Sequence, residues 1–175
     1  MFDRFKNLLG RQSGSHGGGG KETRTAHEWA AEGRFLSRNG EPVRAIEAYQ
    51  NALALDSRLS DALAGLADLY NRMGRYDEAL EAFTRAVEAE PTLQDAHYQM
   101  GHIFLKRKDV RGAAQAFENE LKVTPRSGRV HNDLAVAYFH LKDYARAVQH
   151  ADVALAQGEY VQEKFLEALK PYRKP

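Results

Sequence analysis

Residues 74–91 read GRYDEALEAFTRAVEAEP. Ala79, Phe83 and Ala86 fall on one face of a helix, Gly74 precedes that helix and Pro91 closes it. The same arrangement returns as GEPVRAIEAYQNALALD at 40–56, KDVRGAAQAFENELKVTP at 108–125 and KDYARAVQHADVALAQG at 142–158. The offset is 34 residues each time, with no insertion or deletion, so the chain from Ala26 to Tyr160 is four copies of one unit.

Outward from these stretches, the recurring positions have a packing logic. Gly33, Ala67, Gly101 and Ala135 form one column of small residues, and Ala45, Ala79, Ala113 and Ala147 form another. Two helices can approach closely where such columns cross. Leu36, Tyr70, Phe104 and Tyr138 on the first helix of each unit, with Tyr49, Phe83 and Phe117 on the second, supply the bulk beside the crossings. Gly40 and Gly74 stand where a first helix ends, Pro42 suits the first turn of a second helix, and Pro91 and Pro125 follow second helices. Each unit therefore reads as helix, tight turn, helix.

These residues carry a resemblance to the tetratricopeptide repeat family over roughly residues 26–170. Repeat 2 matches the family pattern with Leu66, Ala67, Tyr70, Ala79, Phe83, Ala86 and Pro91, and repeat 1 with Trp29, Gly33, Ala45, Tyr49 and Ala52. The resemblance implies an all-α, right-handed α-solenoid. The expected divisions are an N-terminal segment 1–25, with a short amphipathic stretch 2–10 and a Gly/Ser linker 12–20, then repeats 26–59, 60–93, 94–127 and 128–161, a capping helix 161–170 and a tail 171–175. The cap is expected because the phase continues through Phe165, Ala168 and Leu169 until Pro171, and terminal repeats need a closing element. Four departures stand out. Glu32 takes an apolar place, Glu120 a small one, Ala151 an aromatic one, and Glu159 the place of the closing proline.

The family implies a function as well, a non-catalytic scaffold or adaptor that holds a peptide or partner helix in a groove lined by first helices. Transferred position by position, the groove holds Arg34 and Arg38, then Arg72, then Tyr98, His102 and Lys106, then Asn132, Val136, Phe139 and His140. Tyr98, Leu105, Val136 and Phe139, with Leu166, make a candidate apolar patch, which marks a binding surface when exposed. Replacing Tyr98 and Phe139 by alanine is expected to remove capture while the array stays folded. Arg38, Arg72, Lys106 and His140 recur at the repeat period as a basic ladder suited to an acidic ligand, although cations at helix C-termini are also favoured by the helix dipole. The chaperone-type carboxylate clamp is not expected, because Ala30, Arg34, Gly65, Asp95 and Gln99, or Ala64, Asp68, Gln99, Arg129 and Asp133, occupy its places.

Composition narrows the remaining classes. The net charge is +1, which gives no general case for nucleic acid. There is no cysteine and hence no thiolate site or disulfide, in keeping with a cytoplasmic expectation. No apolar run reaches the ~20 residues of a membrane span, and charged residues interrupt any leader-like stretch. Phosphate-loop and nucleophile-elbow motifs are absent, so no enzyme and no cofactor are expected. No metal is expected either, since His97 and His131 are equivalent positions about one helix-packing distance of 8–10 Å apart.

The first residues, MFDRFKNLLG, place Phe2, Phe5, Leu8 and Leu9 toward one side of a short helical turn, with Arg4, Lys6 and Arg11 among them. Eleven residues are too few for a stable isolated helix. Three destinations stay open for this hook: a membrane surface, an assembly partner, or the array's own groove in the same or another copy. The alternative functions are accordingly a membrane-surface or complex-assembly factor anchored by the hook, or a self-associating scaffold.

Overall fold

The computed structural model describes residues 24–173, and the hook residues Phe2, Phe5, Leu8 and Leu9 lie outside them. The helices are α1 (Ala26–Arg38), α2 (Pro42–Leu55), α3 (Ser60–Arg72), α4 (Tyr76–Ala89), α5 (Ala96–Lys106), α6 (Val110–Val123), α7 (Gly128–His140), α8 (Tyr144–Ala156) and α9 (Glu163–Leu169). A 3-10 turn, Lys170–Tyr172, follows. Odd and even helices pair within a repeat, and each repeat packs on the next, which makes an all-α solenoid.

The alanine column Ala45, Ala79, Ala113 and Ala147 is fully buried, as the helix crossings require. Tyr49 shows how the large residues join repeats. A methyl group added to Gly33 of α1 would stand 2.8 Å from its ring, and one added to Gly65 of α3 would overlap the same ring. One aromatic side chain of α2 is thus clamped between two first helices.

All four intra-repeat turns are built alike. The N–H of Glu41 donates to the Leu36 carbonyl, Arg75 to Tyr70, Asp109 to Phe104 and Asp143 to Tyr138, while Gly40, Gly74, Lys108 and Lys142 sit one residue earlier at positive φ. This is the Schellman closure of a helix C-terminus. The residue that donates back also opens the next helix. Asp109 accepts from the Gly112 N–H and Asp143 from the Arg146 N–H, whereas α2 starts on Pro42.

Glu120 is the largest departure from the repeat. Alanine occupies the equivalent place at Ala52, Ala86 and Ala154, yet Glu120 is also fully buried. Its carboxylate accepts the backbone N–H of Asp95 at 3.1 Å and of Tyr98 at 3.3 Å, and the Thr124 hydroxyl at 3.2 Å. The side chain takes the space of a first turn, so α5 begins two residues later than the period predicts and Asp95 adopts φ 66°. The carboxylate then caps the shortened helix.

Candidate partner-binding face

Side chains of α1, α3, α5 and α7 are linked along one face of the array by bonds that run from repeat to repeat. Arg34 pairs with Asp61 at 3.0 Å. Arg72 pairs with Asp68 at 3.1 Å and donates to the Ser37 hydroxyl of the preceding repeat. One repeat further on, Lys106 donates to Asn71 at 2.9 Å while standing 5.5 Å from the centre of the Tyr76 ring. Two rungs of the basic ladder therefore reach back to the same place in the repeat before. Arg38 and His140 are exposed.

The richest cluster lies between α5 and α7. Arg129 lies 4.4 Å over the Tyr98 ring and pairs with Asp95. His102 meets the Tyr98 ring edge-on at 4.5 Å and stands 3.2 Å from the Asp133 carboxylate. Burial, together with that carboxylate accepting from its hydroxyl, pushes the Tyr98 phenol up to about 12, so Tyr98 is a hydrogen donor at any physiological pH. Asn71 and Asp95 stand at transferred groove places, and Asp133 is the member that the family positions alone do not single out. The signal for it was its place one repeat from a cationic or aromatic partner.

The proposed apolar patch divides. Tyr98, Leu105, Val136 and Leu166 are half-buried. Phe139 packs against Phe165, Tyr144 and Tyr172, at ring separations of 5.5, 5.4 and 6.5 Å. It joins α7 to the start of α8 and to the cap, so its removal bears on the packing of the cap as well as on the face. Ala30, also placed on the groove by the transferred positions, is buried, and Asn132 is half-buried.

A histidine contact was missed altogether. His131 of α7 and His150 of α8 bring their Nδ1 atoms to 2.8 Å, and the Tyr138 ring stacks on His150 at 5.6 Å. His131 Nε2 faces the Pro125 carbonyl at 3.4 Å and is assigned the hydrogen there, so its Nδ1 accepts and His150 Nδ1 donates. Comparing equivalent positions could not find this pair, because the two residues occupy different positions of one repeat. Among the described residues no group of three His, Asp or Glu side chains is placed to hold a metal ion, and no helix is long and apolar enough to cross a membrane.

Known proteins place this architecture. Models of the tetratricopeptide repeat family match residues 36–103 and 98–161. A crystal structure of MamA is 22% identical with a TM-score of 0.71, over 76% of this chain and 78% of that one. Pseudomonas aeruginosa PilF is 26% identical with a TM-score of 0.71, over 81% of this chain and 64% of that one. YrrB, described as a TPR protein with an unusual peptide-binding site, is 21% identical with a TM-score of 0.68, over 75% and 68%. No curated protein sequence matches. With four phased helical pairs, their shared turn closure and these matches in agreement, the chain belongs to the tetratricopeptide repeat family.

Proposed function

We propose that the chain is a non-catalytic scaffold that holds a peptide or helix of a partner protein across the face formed by α1, α3, α5 and α7. One observation carries this reading. The basic side chains of the face stand apart from the residues that build the array: Ala45, Ala79, Ala113 and Ala147 are fully buried, while Arg34, Arg38, Arg72, Lys106 and His140 are exposed along every repeat. These basic side chains can serve recognition without cost to the fold. The peptide-binding site named for YrrB supports such a use of this architecture.

The ligand class follows from charge exchange. Arg34, Arg72 and Arg129 already pair with Asp61, Asp68 and Asp95, all exposed or half-exposed. Exposed ion pairs contribute only about 0–1 kcal/mol each. An acidic peptide can therefore replace these carboxylates at little cost and gain Arg38 and Lys106 in addition.

Peptide-display selection against the full chain tests the proposal. Enriched sequences should be acidic, and their affinity should fall at least tenfold in Arg72→Glu/Lys106→Glu but not in Arg111→Glu, whose charge lies on the second helix α6. Equal affinities for the two variants, or no selectable peptide, would sink the reading.

A further inference from the structure

The outer side of α1 is an unfilled repeat interface. At the tenth place of each repeat, Leu69, Ile103 and Ala137 are 2%, 0% and 1% exposed and join the core of the repeat before them. The third place behaves alike, with Ala62, Ala96 and Val130 buried in those same cores. In α1 these places hold Phe35, which is 59% exposed, and Glu28, which is also exposed. Between them lie exposed Ala31 and half-exposed Glu32, and Arg24, Glu28, Ala31 and Glu32 line a shallow depression. Among the described residues nothing covers this strip.

We propose that residues 2–9 of the same chain fold back onto this strip and close the N-terminal end of the array, in the place a preceding repeat would take. Chemistry and reach support this occupant independently of the partner-binding reading. The segment offers Phe2, Phe5, Leu8 and Leu9 to Phe35 and Ala31, and Arg4 and Lys6 to Glu28 and Glu32. Arg4 and Lys6 outnumber Asp3 in the segment as Glu28 and Glu32 outnumber Arg24 in the strip, so the net charges are opposite. From Arg24 to Phe35 the helix advances about 17 Å at ~1.5 Å per residue. The linker from Arg11 to Arg24 spans about 20 Å as a Gly-rich chain, so Phe35 is within range. Tethering at this length raises the local concentration to the order of millimolar, which keeps even a weak contact occupied. In the first-helix groove, by contrast, Arg34 and Arg129 already pair with Asp61 and Asp95 of adjoining repeats.

Hydrogen exchange of the α1 amides in the full chain, measured in a double-mutant cycle, tests the proposal. Phe2→Ser/Phe5→Ser should speed exchange along α1 several-fold, Phe35→Glu should do the same, and the combined variant should be no faster than either. Phe35 is exposed, so Phe35→Glu leaves the core intact, and the melting temperature of each variant checks that the array stays folded. Unchanged exchange in Phe2→Ser/Phe5→Ser would overturn the inference, as would effects that simply multiply in the combination. Protection that increases with protein concentration would assign the strip to a second copy instead and equally overturn it.

Discussion

Glu120 of α6 caps α5 through the backbone N–H of Tyr98, 3.3 Å from its carboxylate, while a second carboxylate oxygen takes the N–H of Asp95. Removing the side chain leaves two part-buried donors without a partner and a void where the other repeats hold a methyl group. Each unsatisfied donor costs about 1–3 kcal/mol. Glu120→Ala should therefore lose about 2–4 kcal/mol, a fall in Tm of roughly 4–16 °C at ~2–4 °C per kcal/mol. A melt indistinguishable from the parent would show that α5 simply regains its two missing residues and caps itself.

Lys108 and Lys142 occupy the left-handed position that Gly40 and Gly74 fill in the first two repeats, at φ 62° and 63°. A side chain there costs about 1–2 kcal/mol. Glycine's greater freedom in the unfolded chain returns about 0.5–1 kcal/mol of that gain. Lys108→Gly and Lys142→Gly should each stabilise by about 0.5–1 kcal/mol, and the effects should add because each acts on the backbone of its own turn. Denaturant titration of both single variants and the double variant checks the sign.

Much of the fold was legible because its signal is periodic. Alanine columns, αL glycines and prolines repeat at one offset, and each names a local geometry that elementary sterics fixes. The face was less legible because, apart from Arg129 to Asp95, its bonds between repeats run at offsets other than the period: Lys106 to Asn71, Arg34 to Asp61 and His102 to Asp133. Phe139 has a second contact that the repeat period does not reveal. Its position in the repeat is groove-facing by analogy, but at the end of an array the neighbour is the cap, and the ring turns to Phe165 and Tyr172.

Phe139→Ala is accordingly a stability variant. Truncating a half-buried phenylalanine that anchors a terminal helix should cost about 2–4 kcal/mol, toward the lower part of the range for core positions. Hydrogen exchange should rise first in α9. Arg38→Ala, at an exposed position without a core role, should stay within about 0.5 kcal/mol of the parent. Equal melting temperatures for the two variants would return Phe139 to the partner-binding face.

Acid should weaken the array through its buried imidazoles. Burial lowers the pKa of His150, with the neighbouring His131 adding to the shift, while Glu118 of α6 opposes it and Arg146 of α8 favours it. Burial lowers His97 too, against the pull of Glu120. A histidine whose pKa is depressed by folding binds its proton more readily in the unfolded chain. The stability it contributes is complete above the unfolded value of about 6.5 and is lost as pH falls through the folded value. Geometry sharpens the effect at the pair: with Nδ1 atoms 2.8 Å apart, one shared hydrogen satisfies both rings, and a second proton forces them apart. Repeat 2 supplies the neutral replacement, since Leu63 and Ala82 occupy the two equivalent places and both are buried. In His131→Leu/His150→Ala the difference in Tm between pH 7.5 and pH 5.5 should shrink to less than half that of the parent. An undiminished difference would locate the acid sensitivity elsewhere in the array.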